Sequence, residues 1–183
     1  SDDATGSTAA EFNTINSATS VAINASAVTA LSGTASDIAT LMSAATDTNQ
    51  VTASSFDSVA ANGLSITGTA IDVTDLNNAI NRTNTVSDNT VLATFASAQS
   101  GITVSGGTAT EFDSLLTLEG QSKVTISALN LTVDGSTVSV TQANNLTATT
   151  SGTVTATLTS GAVADLTDLS EDTDDNAALS ITI

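Results

Sequence analysis

The chain has no cysteine, histidine, proline, tryptophan or tyrosine, and among its 183 residues only Arg82 and Lys123 are basic. Without histidine or cysteine, neither a Ser-His-Asp relay nor a thiolate nucleophile can be assembled. Zinc loses its usual ligands as well. Lys123 sits in Gly120-Gln-Ser-Lys123, outside any phosphate-cradling glycine loop. Paired carboxylates could cleave a glycoside, but the tryptophan and tyrosine platforms that normally hold a sugar are missing. The reading is a protein that is not an enzyme.

The other absences bear on partners and packing. Two basic against 19 acidic residues give a net charge of −17. Such a chain cannot neutralise phosphates, which excludes nucleic acid, and an anionic membrane surface would repel it. No apolar run reaches the ~18 residues that a membrane span needs. The lack of cysteine excludes a disulfide framework. With four phenylalanines as the only aromatics, the core must be thin and filled by Ala, Val, Leu and Ile. The lack of proline leaves glycine and asparagine to make the turns. A chain that opens on Ser1 rather than Met reads as a processed product or a piece of something longer.

What is present is a recurring helix-start signal. A Ser/Thr-x-x-Asp/Glu box opens an apolar run at Thr8-Ala-Ala-Glu11-Phe12, Thr34-Ala-Ser-Asp37-Ile38, Thr69-Ala-Ile-Asp72-Val73 and Thr108-Ala-Thr-Glu111-Phe112, and a glycine precedes each. In such a box the hydroxyl accepts from a free N–H of the first turn and the carboxylate reaches back to the cap. Degenerate copies begin at Thr52, Ser87 and Ser127, and Gly161-Ala-Val-Ala-Asp165-Leu166 keeps all but the hydroxyl. From Thr34 through Thr52, Thr69, Ser87 and Thr108 to Ser127 the steps are 18, 17, 18, 21 and 19 residues.

Short alternating runs lie between the boxes and read as strands: Leu64–Ile66, Ile102–Val104, Val124–Ile126, Leu131–Val133, Val138–Val140, Val154–Leu158 and Leu179–Ile183. The spacing predicts a β-rich solenoid over residues 1–183, a single domain. Its stacked coils would hold roughly 17–21 residues each, with short strands and one or two helical turns per coil. The carboxylates of the boxes then serve turns rather than ligands.

One acidic cluster is a candidate cation site. Asp172, Asp174 and Asn176 alternate as the early ligands of an oxygen-lined calcium loop do. The pattern departs from such a loop at Ala177, where a turn glycine belongs, and at Ile183, where a bidentate acid would fall. Calcium is the one cofactor this chemistry suggests. Asn24, Asn81, Asn130 and Asn145 begin Asn-x-Ser/Thr acceptor triplets. Thr153-Val-Thr155-Ala-Thr157 is similar to the threonine rows of ice-binding solenoids, but the row does not recur at one place in every unit.

Val28–Leu41 and Val140–Leu146 resemble the Ala/Thr-rich tandem repeats of very large secreted bacterial proteins, notably cyanobacterial ones, of the surface-layer, adhesin-like or hemolysin-type calcium-associated kind. The resemblance covers most of the chain and implies an extracellular or cell-surface structural role. The calcium nonapeptide that accompanies such proteins is missing, since Gly106-Gly-Thr108 has no following Gly-x-Asp. The expected function is a subunit of a self-assembling filament, fibre or surface layer. The alternative is an adhesin stalk or phage-type fibre segment, with cell-surface or glycan contacts.

Overall fold

The computed structural model describes residues 7–45, 51, 59, 63–83, 92–159 and 177–181, the side chains of 82–83 and 177–181 excepted. Strands and helices alternate along it: β1 (Ser7–Thr8), α1 (Ala9–Ala18), β2 (Leu31–Thr34), α2 (Ala35–Ala44), β3 (Leu64–Thr67), β4 (Ala70–Asp72) and α3 (Val73–Thr83). There follow β5 (Ala93–Phe95), a 3-10 turn (Gln99–Gly101), β6 (Thr103–Gly107), α4 (Ala109–Gly120), β7 (Asn130–Val138), α5 (Val140–Thr149), β8 (Val154–Leu158) and β9 (Ala177–Ile181).

The strands form two sheets, one in the order β1-β2-β3-β5 and one in the order β4-β6-β7-β8-β9. Every pairing is parallel. In both sheets the spatial order follows the chain order. Among the described strands the chain crosses between the sheets three times, from β3 to β4, from β4 to β5 and from β5 to β6, and Gly68 sits at the first crossing. Its φ of 100° lies in the left-handed region that glycine enters without steric cost, and it separates β3 from β4.

This is an α/β fold and not a β-rich solenoid of stacked coils, so the tandem-repeat reading falls too. The boxes open helices of 10 to 12 residues, about three turns each, where the spacing predicts one or two turns. Each unit carries a strand, a helix of about three turns and the loops that join them, which takes more residues than a coil of 17–21. The register steps in the first sheet are accordingly 24 residues (7 to 31), 33 (31 to 64) and 29 (64 to 93). The counted period also included positions that start no helix. Ser127 lies in a turn with no helix after it, and Thr69 lies in the link between β3 and β4. Thr52, Ser87 and Gly161 lie outside the described residues.

The core is built between strands and helices. Each helix packs against the next, α1 on α2 through to α4 on α5, and each also packs on strands. The buried apolar residues form one cluster from Ala9 to Leu158. Phe112 is the one aromatic among its largest fully buried side chains, the rest being Leu and Ile. On β8 the residues alternate: Val154, Ala156 and Leu158 are buried, Thr155 is exposed and Thr157 is half-buried. Val124–Ile126, expected as a strand, contributes only a bridge between Val124 and Ala93. Val138 ends β7 and Val140 begins α5, because Ser139 caps that helix.

Candidate functional site

The helix starts gather the acidic residues. At α1, the Glu11 N–H donates to the Thr8 hydroxyl at 3.3 Å, and the Glu11 carboxylate accepts from the Thr8 N–H at 3.1 Å and its hydroxyl at 2.8 Å. At α2, the Asp37 N–H donates to the Thr34 hydroxyl at 3.1 Å, which in turn donates to the Asp37 carboxylate at 2.7 Å. The box at Thr69 works differently. Asp72 is itself the cap of α3, accepting from the N–H groups of Thr74 at 2.8 Å and Asp75 at 3.1 Å. The sequence reading missed a box at Ser139, where Gln142 stands in for the acid and accepts from the Ser139 N–H at 3.0 Å. Its signal was the Ser-x-x-Gln spacing, without the preceding glycine.

Glu111 does more than close its own box. Its carboxylate accepts from the Thr108 N–H at 2.7 Å and hydroxyl at 3.0 Å, and from the Thr74 hydroxyl of the preceding helix at 2.6 Å. The Thr74 hydroxyl, then the Thr108 N–H and hydroxyl, hold its pKa below the usual glutamate range. Thr8 does the same for Glu11, by its hydroxyl and then its N–H. Asp134 accepts from the Gly106 N–H at 3.0 Å, and Ser136 from the Ala109 N–H at 2.9 Å. Each of these groups is committed to a backbone or hydroxyl donor, and a carboxylate so engaged is a joint between segments.

A second set of polar links runs from helix to helix. The residue five places into one helix meets the residue three places into the next. Asn13 of α1 donates to the Asp37 carbonyl of α2 at 2.9 Å, and Asn77 of α3 donates to the Glu111 carbonyl of α4 at 2.7 Å. Between α4 and α5 the direction reverses, with Gln142 donating to the Asp113 carboxylate at 2.8 Å. On the strand side, Asn130 donates to the Ser100 carbonyl at 3.3 Å and accepts from the Thr153 N–H at 2.9 Å, so one side chain joins three successive segments. Gln99 donates to the Thr125 carbonyl at 2.8 Å and accepts from the Ala128 N–H at 3.1 Å.

The expected cation ligands Asp172, Asp174 and Asn176 lie outside the described residues. Among the described residues no three His, Cys, Asp or Glu side chains are grouped to hold a metal ion. No described helix is long and apolar enough to cross a membrane. Of the acceptor triplets, Asn24, Asn81 and Asn145 are exposed, whereas the Asn130 side chain is tied into the rungs just described. The threonine row breaks at once, since Thr155 is flanked by Thr132 on one side and Ala178 on the other.

The ends of the sheets are the remaining surface of interest. The first sheet begins at β1, and the second ends at β9, whose five residues Ala177 to Ile181 pair in unbroken register with Val154 to Leu158 of β8. The expected terminal strand at Leu179–Ile183 thus begins two residues earlier, and residues 182–183 lie outside the described set. No family model matches the chain, and no curated protein or solved structure is significantly similar to it.

Proposed function

We propose that this chain is a structural protein whose copies associate through the ends of their sheets into an extracellular filament, fibre or layer. The observation that carries this reading is the strand order. In a parallel sheet whose strands follow the chain, the first and last edges differ, and every strand runs the same way. Joining the last edge of one copy to the first edge of another is a head-to-tail contact, and such contacts propagate openly unless their rotation closes a ring.

Edge strands carry unpaired N–H and C=O groups that template another chain, and proteins that must stay apart blunt them with charge or proline. Neither Ser7–Thr8 nor Ala177–Ile181 contains a charged residue or a proline. Glu11, Asp37, Asp72 and Glu111 serve caps and joints at the described helix starts, and this reading places function at the surfaces and ends. The placement outside the cell rests on the resemblance of the Ala/Thr-rich segments to secreted bacterial surface proteins.

Sedimentation velocity over a wide concentration range, with and without calcium, tests the reading, with electron microscopy of the heaviest fraction. Concentration-dependent growth into elongated particles is expected. Because each copy carries a net charge of −17, growth should strengthen as added salt screens the repulsion. A stable monomer at the highest concentration in every buffer would refute it.

A further inference from the structure

We infer that Asn24 is a glycosylation site, its side-chain amide taking a sugar chain from a lipid-phosphate-linked donor; this rests on the placement outside the cell proposed above. Of the four Asn-x-Ser/Thr triplets, the structure sets this one apart. Asn24-Ala25-Ser26 lies between α1 and β2, in neither a helix nor a strand. The Ser26 N–H donates to Oδ1 of Asn24 at 3.0 Å, so the asparagine's own side chain closes the triplet into a tight turn. Asn24 and Ser26 are exposed, while Ala25 between them is buried. The turn is also held at both ends. Ile23 forms a parallel bridge with Val51, and the Val28 N–H donates to the Ala25 carbonyl at 3.0 Å. A bulky, hydrated group added at Asn24 therefore meets solvent rather than core.

The reacting atom is available. The turn engages Oδ1, and among the described residues nothing accepts from Nδ2 of Asn24 or bonds the Ser26 hydroxyl. In the transfer Nδ2 forms a bond to the anomeric carbon of the sugar. The bond from that carbon to the donor's phosphate oxygen breaks, the phosphate leaves with the electron pair, and Nδ2 gives up one proton. The other triplets are locked into regular structure. Asn130 stands on β7 and commits both ends of its amide, donating to the Ser100 carbonyl at 3.3 Å and accepting from the Thr153 N–H at 2.9 Å. Asn145 lies in the middle of α5, and the hydroxyl of its partner Thr147 donates to the Ala143 carbonyl at 3.2 Å. Asn81 lies within α3. An enzyme that reads Asn and Ser/Thr together must draw the triplet out of its surroundings. At Asn81 and Asn145 that breaks intrahelical hydrogen bonds, and at Asn130 it breaks a sheet ladder. At Asn24 it breaks neither.

The test uses the folded full chain, incubated with a purified single-subunit oligosaccharyltransferase and a lipid-linked oligosaccharide. Occupancy at each asparagine is read by mass spectrometry of proteolytic fragments. Asn24 should be occupied at least tenfold more than Asn81, Asn130 or Asn145. Ser26→Ala should abolish the transfer and Ser26→Thr should retain it, with far-ultraviolet circular dichroism of both variants matching the wild type. No transfer to Asn24, transfer to Asn81 or Asn145 ahead of it, or undiminished transfer to Ser26→Ala overturns the assignment. The native chain separates this inference from the placement it rests on. A chain recovered outside the cell and bare at Asn24 overturns the modification and leaves the placement intact. A chain recovered only inside the cell overturns both.

Discussion

Asn77 offers a sharp test of how the helices are held together. It is 7% exposed; its Nδ2 donates to the Glu111 carbonyl at 2.7 Å, and no described protein group reaches its Oδ1. The hydrogen bond contributes about 0.5–1.5 kcal/mol, and the unmet acceptor costs about 1–3 kcal/mol. The Glu111 carbonyl lies within α4 and keeps its intrahelical donor if Asn77 is lost. Asn77→Leu removes both polar atoms and adds buried apolar surface, about 1.5–3 kcal/mol when complete. A bulkier side chain between α3 and α4 opposes that with about 1–3 kcal/mol of overpacking. The balance is a stabilisation of about 1 kcal/mol, or a melting point higher by about 2–4 °C for a chain of this size. Asn77→Asp has the opposite sign: an ionised carboxylate cannot donate to the Glu111 carbonyl and is costly to bury, so a loss of about 2 kcal/mol or more is expected. With no tryptophan or tyrosine to report fluorescence, thermal and urea unfolding should be followed by circular dichroism of the helices. A destabilisation of Asn77→Leu by more than about 1 kcal/mol would refute the reasoning, because Oδ1 would then have a partner in solution worth keeping.

Three further outcomes follow from backbone geometry and charge. Gly106 has a φ of 80°, and a Cβ there would collide with the Asp72 carboxylate that caps α3; Gly106→Ala should cost about 2–4 kcal/mol in urea unfolding, from backbone strain and a weakened cap. Ser122 holds a left-handed φ of 59° after α4, while the Lys123 N–H closes on the Leu118 carbonyl at 2.9 Å; Ser122→Gly should raise stability by about 0.5–1 kcal/mol in the same assay. Glu11 and Glu111 have folded pKa values below their unfolded ones, so their contribution is complete above the ordinary glutamate pKa of about 4.3 and is lost as pH falls through the folded values. Melting curves between neutral and acidic pH should therefore show the gap between wild type and Glu111→Gln narrowing on acidification, and a gap that widens would contradict the hydrogen bonding described.

The capping boxes were legible because a cap is a local event. Thr8, Thr34 and Thr108 stand immediately before the helices they were expected to open. Thr69 misled because its Asp72 can cap alone, which moves the helix start to Val73. The length of each helix was not legible from its first turn, and that error turned strand–helix units into coils. Alternation identified Val154–Leu158 correctly, since one face there is buried and the other wet. The links from Asn13 and Asn77 were invisible in the sequence. An asparagine midway along a helix says nothing of which carbonyl it meets until the neighbouring helix is placed. Ile15, 52% exposed, was likewise unreadable as such, because the same place in α2 and in α4 holds the buried Leu41 and Leu115.

Lys123 gives the packing between segments a built-in reporter. Its N–H is bound to Leu118 and its carbonyl receives the Ala93 N–H at 2.9 Å, so the chain on both sides of its α-carbon is held in place. It is also the only lysine in the chain. Trypsin must draw an extended stretch of backbone into its cleft, so cleavage after Lys123 requires that the contact with β5 first let go. When reclosure is fast compared with cleavage, the rate of that single cut measures how often the segment opens. The scarcity of basic residues thus makes limited proteolysis a local stability gauge at the margin of the first sheet.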